Sequence, residues 1–488
     1  MKNSAMQNIG FKALTSVVAL SILAGCSTSS KSGDAPGSGL PNTAAARSET
    51  KSGYRLPAFE EKRLANGLLV LFVPDQNLPY VSYSLLVRAG SVQDPVEQAG
   101  LASMVAELLD KGTKKRSATQ IAADIGQMGA DFDASAAVEH SMISASALST
   151  QAEPLLKNMI EIVTEPTFSE TEIDRVRKQL LAGIERRVDN PDSLAATAFD
   201  QYLFGSHPYA RPVSGSLSTV KSVKKKHIIQ HYLRYYRPNN AILSVVGKFT
   251  PELAAKIEKE FGAWQPREVG PAKFGPVPEV KGVQIQIVDK PGLVQTQIRM
   301  GHLGIKRQNE DFLALRLANT ILGGAFNSRL VNRVRKDLGL TYTINSFFDA
   351  RQDAGPFEIS TFTKNNSVGQ LVSETLKVIS DFKAKGVTQS EVDAAKGYLK
   401  GVFPTAIETP EKLAFNLMLL RFYGIPDSYL TNYLGDIDRL NVGTVNQAIK
   451  KYVDDKNIKV VVYSTAAEVQ SQLAPLGQVE VKQAADVN

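Results

Sequence analysis

Along most of this chain, short apolar runs bounded by turn residues alternate with longer stretches of helical periodicity. Gly67-Leu-Leu-Val-Leu-Phe-Val73 and Tyr80-Val-Ser-Tyr-Ser-Leu-Leu-Val87 are rich in β-branched and aromatic residues and predict strands. Residues 131–148 return to strand-like alternation, and Ala241-Ile-Leu-Ser-Val-Val-Gly247 predicts a further strand. Amphipathic spacing predicts helices over 100–109, 117–128, 151–161, 169–188, 227–235 and 252–261, with Ser117 as an N-cap. Strands resume at Val283-Gln-Ile-Gln-Ile-Val288 and Gln295-Thr-Gln-Ile-Arg-Met300. Strands and helices mixed in this order predict an α+β protein with largely antiparallel sheets.

The pattern repeats. Phe168-Ser-Glu-Thr-Glu-Ile-Asp174 matches Val387-Thr-Gln-Ser-Glu-Val-Asp393 at an offset of 387 − 168 = 219. The same offset relates Pro191 to Pro410, Leu194 to Leu413 and Gly205 to Gly424 without a gap. Each half therefore reads as one copy of the same domain, residues 54–264 and 282–488. Residues 265–281 carry Pro266, Pro271, Pro276 and Pro278 and read as the linker between them.

Length changes this picture little, since 488 residues exceed what one core organises. A hydrophobic fraction of 43% and a charged fraction of 22% are those of a globular protein. The formal charge of +7 is spread along the chain and forms no basic arm, which argues against nucleic acid. A single cysteine, Cys26, excludes an internal disulfide framework. The N-terminus is different in kind. Lys2 and Lys12 flank the start of an apolar run, residues 13–24, too short to span a bilayer. It ends in Leu23-Ala24-Gly25-Cys26, which resembles a bacterial lipoprotein cleavage box. Residues 1–25 are accordingly expected to be a signal peptide, Cys26 the lipidated residue, and residues 26–53, rich in Ser, Gly, Ala and Thr, a flexible tether. With Ser27 after the cysteine, the resemblance implies a lipid anchor in the outer membrane, facing the periplasm.

Gly100-Leu-Ala-Ser-Met-Val-Ala-Glu-Leu-Leu-Asp-Lys-Gly-Thr113 resembles the metal-binding helix of the insulinase/pitrilysin zinc metallopeptidases, the inverzincins. Their stretch runs Gly-Leu-Ala-His-x-x-Glu-His-x-x-x-x-Gly-Thr; two His hold zinc and the Glu between them polarises water. Ser103, Ala106 and Glu107 stand at those three positions. Aligning the run that ends at Pro191 puts Gly183 at the family's third ligand. Catalytic zinc takes three protein ligands as a rule, and one carboxylate does not make a site. No metal is expected on this chain. His227 and His231 stand at i,i+4 but have no carboxylate between them, and they read as exposed helix histidines. The resemblance covers residues 54 to the C-terminus and implies two homologous α/β lobes arranged as a half clamshell.

The second half keeps what the first has lost. Leu322-Gly-Gly-Ala-Phe-Asn-Ser-Arg-Leu330, followed by Arg335-Lys-Asp-Leu-Gly-Leu-Thr-Tyr342, is similar to the family segment whose Arg and Tyr reach the zinc of an opposite lobe. Arg335 and Tyr342 are the matching residues. A guanidinium offers fixed donors and a phenol donates at neutral pH, so the pair suits a peptide backbone and a developing oxyanion. The alternative is that Arg335 pairs with Asp337 on the surface and Tyr342 simply packs. Some family members, such as enzymes resembling the mitochondrial processing peptidase, split these parts between two chains. The resemblance thus implies the Arg/Tyr-supplying subunit of a heterodimeric periplasmic zinc metallopeptidase, with zinc on a paralogous partner and peptides as substrates. A non-catalytic peptide-binding or scaffolding lipoprotein is the alternative, and a peptidase acting alone through an unforeseen site is a third.

Overall fold

The computed structural model describes residues 56–487; residues 1–25, Cys26 and the tether to residue 53 lie outside it. Two six-stranded sheets form the framework. The first contains β1 (Glu60–Arg63), β2 (Leu69–Pro74), β3 (Tyr80–Val87), β4 (Asp131–Ala136), β5 (Ser141–Leu148) and β6 (Ala241–Gly247), in the order β1-β2-β6-β3-β5-β4. The second contains β7 (Val283–Asp289), β8 (Gln295–Leu303), β9 (Ile344–Phe348), β10 (Pro356–Lys364), β11 (Ile458–Ser464) and β12 (Gln478–Gln483), in the order β12-β7-β11-β8-β10-β9. Five strands of each follow one topology, with a single parallel pairing inside it: β2 with β6, and β7 with β11. The edges differ, because β1 joins β2 antiparallel whereas β12 joins β7 parallel. The fold is α+β, built from two copies of one domain.

The central strands β6 and β11 are buried at every position, so both faces of each sheet must be covered. One face of the first sheet is covered by helices of its own half. Leu101, Met104, Val105 and Ile162 pack with Val70, Leu85 and Leu243. The other face is covered from the opposite half. The helix Pro410–Tyr423 lies on β2 and β6, bringing Leu413, Leu417 and Met418 into the core with Leu69, Leu71 and Ile242. Reciprocally, the helix Pro191–Phe204 lies on β8 and β11, where Leu194, Ala198 and Phe199 meet Val461 and Tyr463.

The two exchanged helices start and stop alike. Asn190 and Thr409 cap them by accepting from Ser193 N and Lys412 N, each directly before a proline that suits the first helical turn. Gly205 and Gly424 end them at φ +57° and +67°.

Polar side chains bolt the exchange in place. Arg88, at the end of β3, donates to the carbonyls of Phe422 at 2.6 Å and Arg421 at 2.8 Å and stacks on the Phe422 ring. Arg299 on β8 pairs with Asp192 in the first turn of the other exchanged helix at 2.5 Å and with Glu358 at 3.0 Å. Glu139 is buried between the halves. It accepts from Tyr209 Oη at 2.5 Å, Tyr423 Oη at 3.0 Å and Gln352 N at 2.9 Å.

Candidate functional site

The helix Leu101–Leu108 begins after Gly100, whose φ of +95° lets the chain turn sharply into it. Asp94 anchors that start, accepting from Gly100 N and Ala102 N at 2.9 Å each. Burial pushes the Asp94 carboxyl up to about 8, against the pull of those amides and of nearby Arg211. Ser103, on the first turn, is buried and donates through Oγ to Val213 O at 2.8 Å. Ala106 is fully buried. Glu107 is half-buried and is not without a partner.

Gly183 lies on the helix Glu170–Val188, which packs against Leu101–Leu108. A Cβ there would meet only Arg186 Nη2, at 3.9 Å, an ordinary contact. One turn on, Arg187 donates to Ser214 Oγ and to Gly215 O at 3.0 Å. Of the four positions where the resemblance puts metal chemistry, a hydroxyl committed to a carbonyl, a methyl and a bare glycine accompany one carboxylate. That donor set does not fit zinc. Among the described residues, no group of three or more His, Cys, Asp or Glu is placed to hold a metal ion.

The histidine pair differs from expectation. His231 is buried, not exposed; it packs on the Tyr235 ring at 4.9 Å and burial pushes its pKa down to about 3. His227 is half-exposed and its Nδ1 accepts from Lys224 N at 3.2 Å. The helix Lys225–Tyr235 turns only His231 toward the core, because Ile228, three residues before it, lies on the same buried face.

Arg335 and Tyr342 sit on the second half, where the backbone departs from α geometry. Thr320–Gly324 and Val331–Asp337 wind as wider π-type turns, a feature that concentrates at functional sites. Gly323 and Gly324 permit this: a Cβ on Gly323 would collide with Ser346 Oγ, and one on Gly324 would come within 2.8 Å of Asn319 Nδ2. Asn319 then fastens the turn to β9, donating to Ser346 O at 2.9 Å and accepting from Ser346 Oγ at 2.7 Å. Arg329 is taken up by Glu391, at 2.7 and 2.8 Å, and by Gly386 O, while Arg333 pairs with Glu374 at 2.9 Å.

Arg335 has a different environment. It makes no ion pair with Asp337. Its guanidinium lies over two rings, with Cζ 5.0 Å from the Tyr342 centroid and 5.1 Å from that of Phe326. Tyr342 is 74% exposed and Phe326 65%. Among the described residues no carboxylate or carbonyl takes a hydrogen bond from this guanidinium. The arrangement presents a fixed cationic fork and a phenol to solvent, and it can donate to a carbonyl oxygen supplied from outside. Phe326 escaped the sequence reading, because nothing in an apolar residue nine positions before Arg335 announces a contact across two turns.

The fold defines a class: a two-lobed α+β protein built from two copies of one domain. Residues 69–216 match the model described as insulinase (peptidase family M16), and residues 222–399 match that described as peptidase M16 inactive domain. The crystal structure of a peptidase M16 inactive domain from Pseudomonas fluorescens superposes with a TM-score of 0.77 at 30% identity, over 83% of this chain and 98% of that one. The chain belongs to the insulinase family, peptidase family M16. It is 25% identical over 352 residues to the uncharacterized zinc protease YmxG of Bacillus subtilis, spanning 72% of this chain and 85% of that protein. It is 23% identical over 402 residues to the non-peptidase homolog YmxG of Helicobacter pylori, spanning 81% and 91%.

Proposed function

We propose that this chain is the Arg/Tyr-supplying subunit of a two-chain zinc metallopeptidase of the cell envelope. The observation that carries the reading is the contrast between the halves. One has one carboxylate where three metal ligands and a base are needed, whereas the other holds Tyr342 exposed and Arg335 half-buried against two rings, outside any ion pair among the described residues. The partner is a paralogue with the metal helix intact, and it brings the zinc. Arg335 and Tyr342 then act on a peptide held between the chains, donating to backbone carbonyl oxygens and steadying charge on the one under attack. The lipid anchor at Cys26 holds the complex at the outer membrane on the periplasmic side.

The test is to purify this chain and the zinc-bearing paralogue from the same envelope and assay each alone and mixed on an unfolded peptide. The reading expects turnover from the mixture that neither chain gives alone, cut about 10²-fold or more by Arg335→Ala. A paralogue fully active by itself, and indifferent to Arg335→Ala in this chain, contradicts it. A second reading, a peptide-binding scaffold without turnover, draws support from the non-peptidase homolog among the relatives; it expects peptide affinity and no turnover with any partner.

A further inference from the structure

We propose that Phe326 is the positioning residue that holds Arg335 ready for a peptide carbonyl, an inference that rests on the role given to Arg335 above. Phe326 belongs to none of the apolar clusters of the fold and exposes 65% of its surface. Core packing therefore does not account for it. Its ring instead faces two cations, Arg335 Cζ and Lys336 Nζ, each 5.1 Å from its centroid.

The turn that carries Phe326 is held on several sides. Ser328 N donates to Ala325 O at 3.0 Å, Lys336 Nζ to Asn327 Oδ1 at 3.1 Å and Asn332 Nδ2 to Asn327 O at 3.2 Å. The Asn319–Ser346 pair fixes the strand behind it.

Two rings from separate backbone pieces, Phe326 and Tyr342, thus approach one guanidinium. An arginine on a surface turn samples many rotamers, and ordering it on binding costs affinity. A guanidinium held over two rings has fewer rotamers open to it than one over a single ring. Tyr342 alone offers one face. Phe326 adds a second and makes the Arg335 donors a preformed feature.

The experiment uses the chain with 15N-labelled arginine, with the Arg335 Nε–Hε resonance assigned through Arg335→Lys. Binding is read in parallel as the anisotropy of fluorescein-labelled, reduced and carboxymethylated α-lactalbumin. The resonance is expected to be displaced by ring currents in the native chain, to move toward that of a free arginine in Phe326→Ala and Phe326→Leu, and to stay displaced in Phe326→Tyr. Affinity for the probe is expected to fall about threefold to tenfold in the Ala and Leu variants and to be kept in the Tyr variant. A resonance unmoved by Phe326→Ala overturns the proposal directly. A resonance that moves while binding holds, beside an Arg335→Ala variant that binds poorly, overturns it and leaves the role of Arg335 standing. Probe binding unchanged in Arg335→Ala sinks that role, and this proposal with it.

Discussion

Removing Arg88 should loosen the union of the two halves by an amount that the geometry sets. Its guanidinium donates at 2.6 and 2.8 Å to carbonyls in the last turn of the exchanged helix Pro410–Tyr423 and lies 4.8 Å from the Phe422 ring centroid. Hydrogen bonds from a charged donor contribute ~1.5–3 kcal/mol each. A half-exposed cation on a ring adds ~0.5–1 kcal/mol. The site is half-buried, so in Arg88→Ala water reaches the stranded carbonyls and recovers part of this, leaving a net loss of about 3 kcal/mol. For a folded body of this size the unfolding entropy is about 0.9 kcal/mol/K, so the midpoint should fall by about 3 °C. Calorimetry of Arg88→Ala and Arg88→Lys decides it, the lysine restoring charge without the two-pronged donor and therefore recovering less than half. A loss below about 0.5 kcal/mol, the range of an ordinary surface change, refutes the idea that this residue bolts the exchange.

Three further outcomes are expected. The Asp94 carboxyl is raised from 3.8 to about 8, so the folded chain holds a proton that the unfolded chain releases; its contribution is complete below pH 4 and is lost as pH rises through 8. Urea midpoints should therefore decline between pH 5 and pH 8.5 and decline less in Asp94→Asn, whereas identical slopes would exclude Asp94 as the cause. Gly323→Ala drives a Cβ into Ser346 Oγ and within 2.8 Å of Leu330 Cδ1, so it should cost about 1–3 kcal/mol and reduce the turnover of the mixed chains, a result read by melting and peptidase assay together. Glu139→Gln keeps an oxygen for Tyr209 Oη and Gln352 N but sets an amide NH2 against Tyr423 Oη in place of an accepting oxygen, and should cost about 1 kcal/mol and lower the midpoint by about 1 °C; an unchanged melt would show that the charge on Glu139 adds nothing to the bridge.

Much of this architecture could be read from residue order because local signals and packing agree. Ser117 caps its helix with Gln120 in a reciprocal box, and the alternation over 131–148 resolves into β4 and β5 with a bend between them. The repeat offset at Pro191/Pro410 and Gly205/Gly424 marks the first turn and the C-cap of two helices. What it could not convey is where those helices go. Periodicity reports that a face is buried, not which sheet covers it, and both helices are apolar on several sides because they lie deep between the halves. The site divides the same way. Missing ligands are visible one residue at a time, as at Ser103, Ala106 and Gly183. The contacts of Arg335 with Phe326 and Tyr342 depend on how the segments before and after the π-type turn Val331–Asp337 come back to it, and spacing along the chain does not encode that. His231 shows the reverse error: it reads as an exposed helix histidine, yet it shares the buried face with Ile228 while His227 stays half-exposed.

In the proposed two-chain peptidase the water-activating ion belongs to another polypeptide. Zinc bound per molecule of this chain, measured after equilibrium dialysis against buffered zinc, tests it most directly. Far less than one ion per chain is expected, unchanged by Glu107→Gln. One zinc per chain, removed by a chelator and lost in Glu107→Gln, would contradict it.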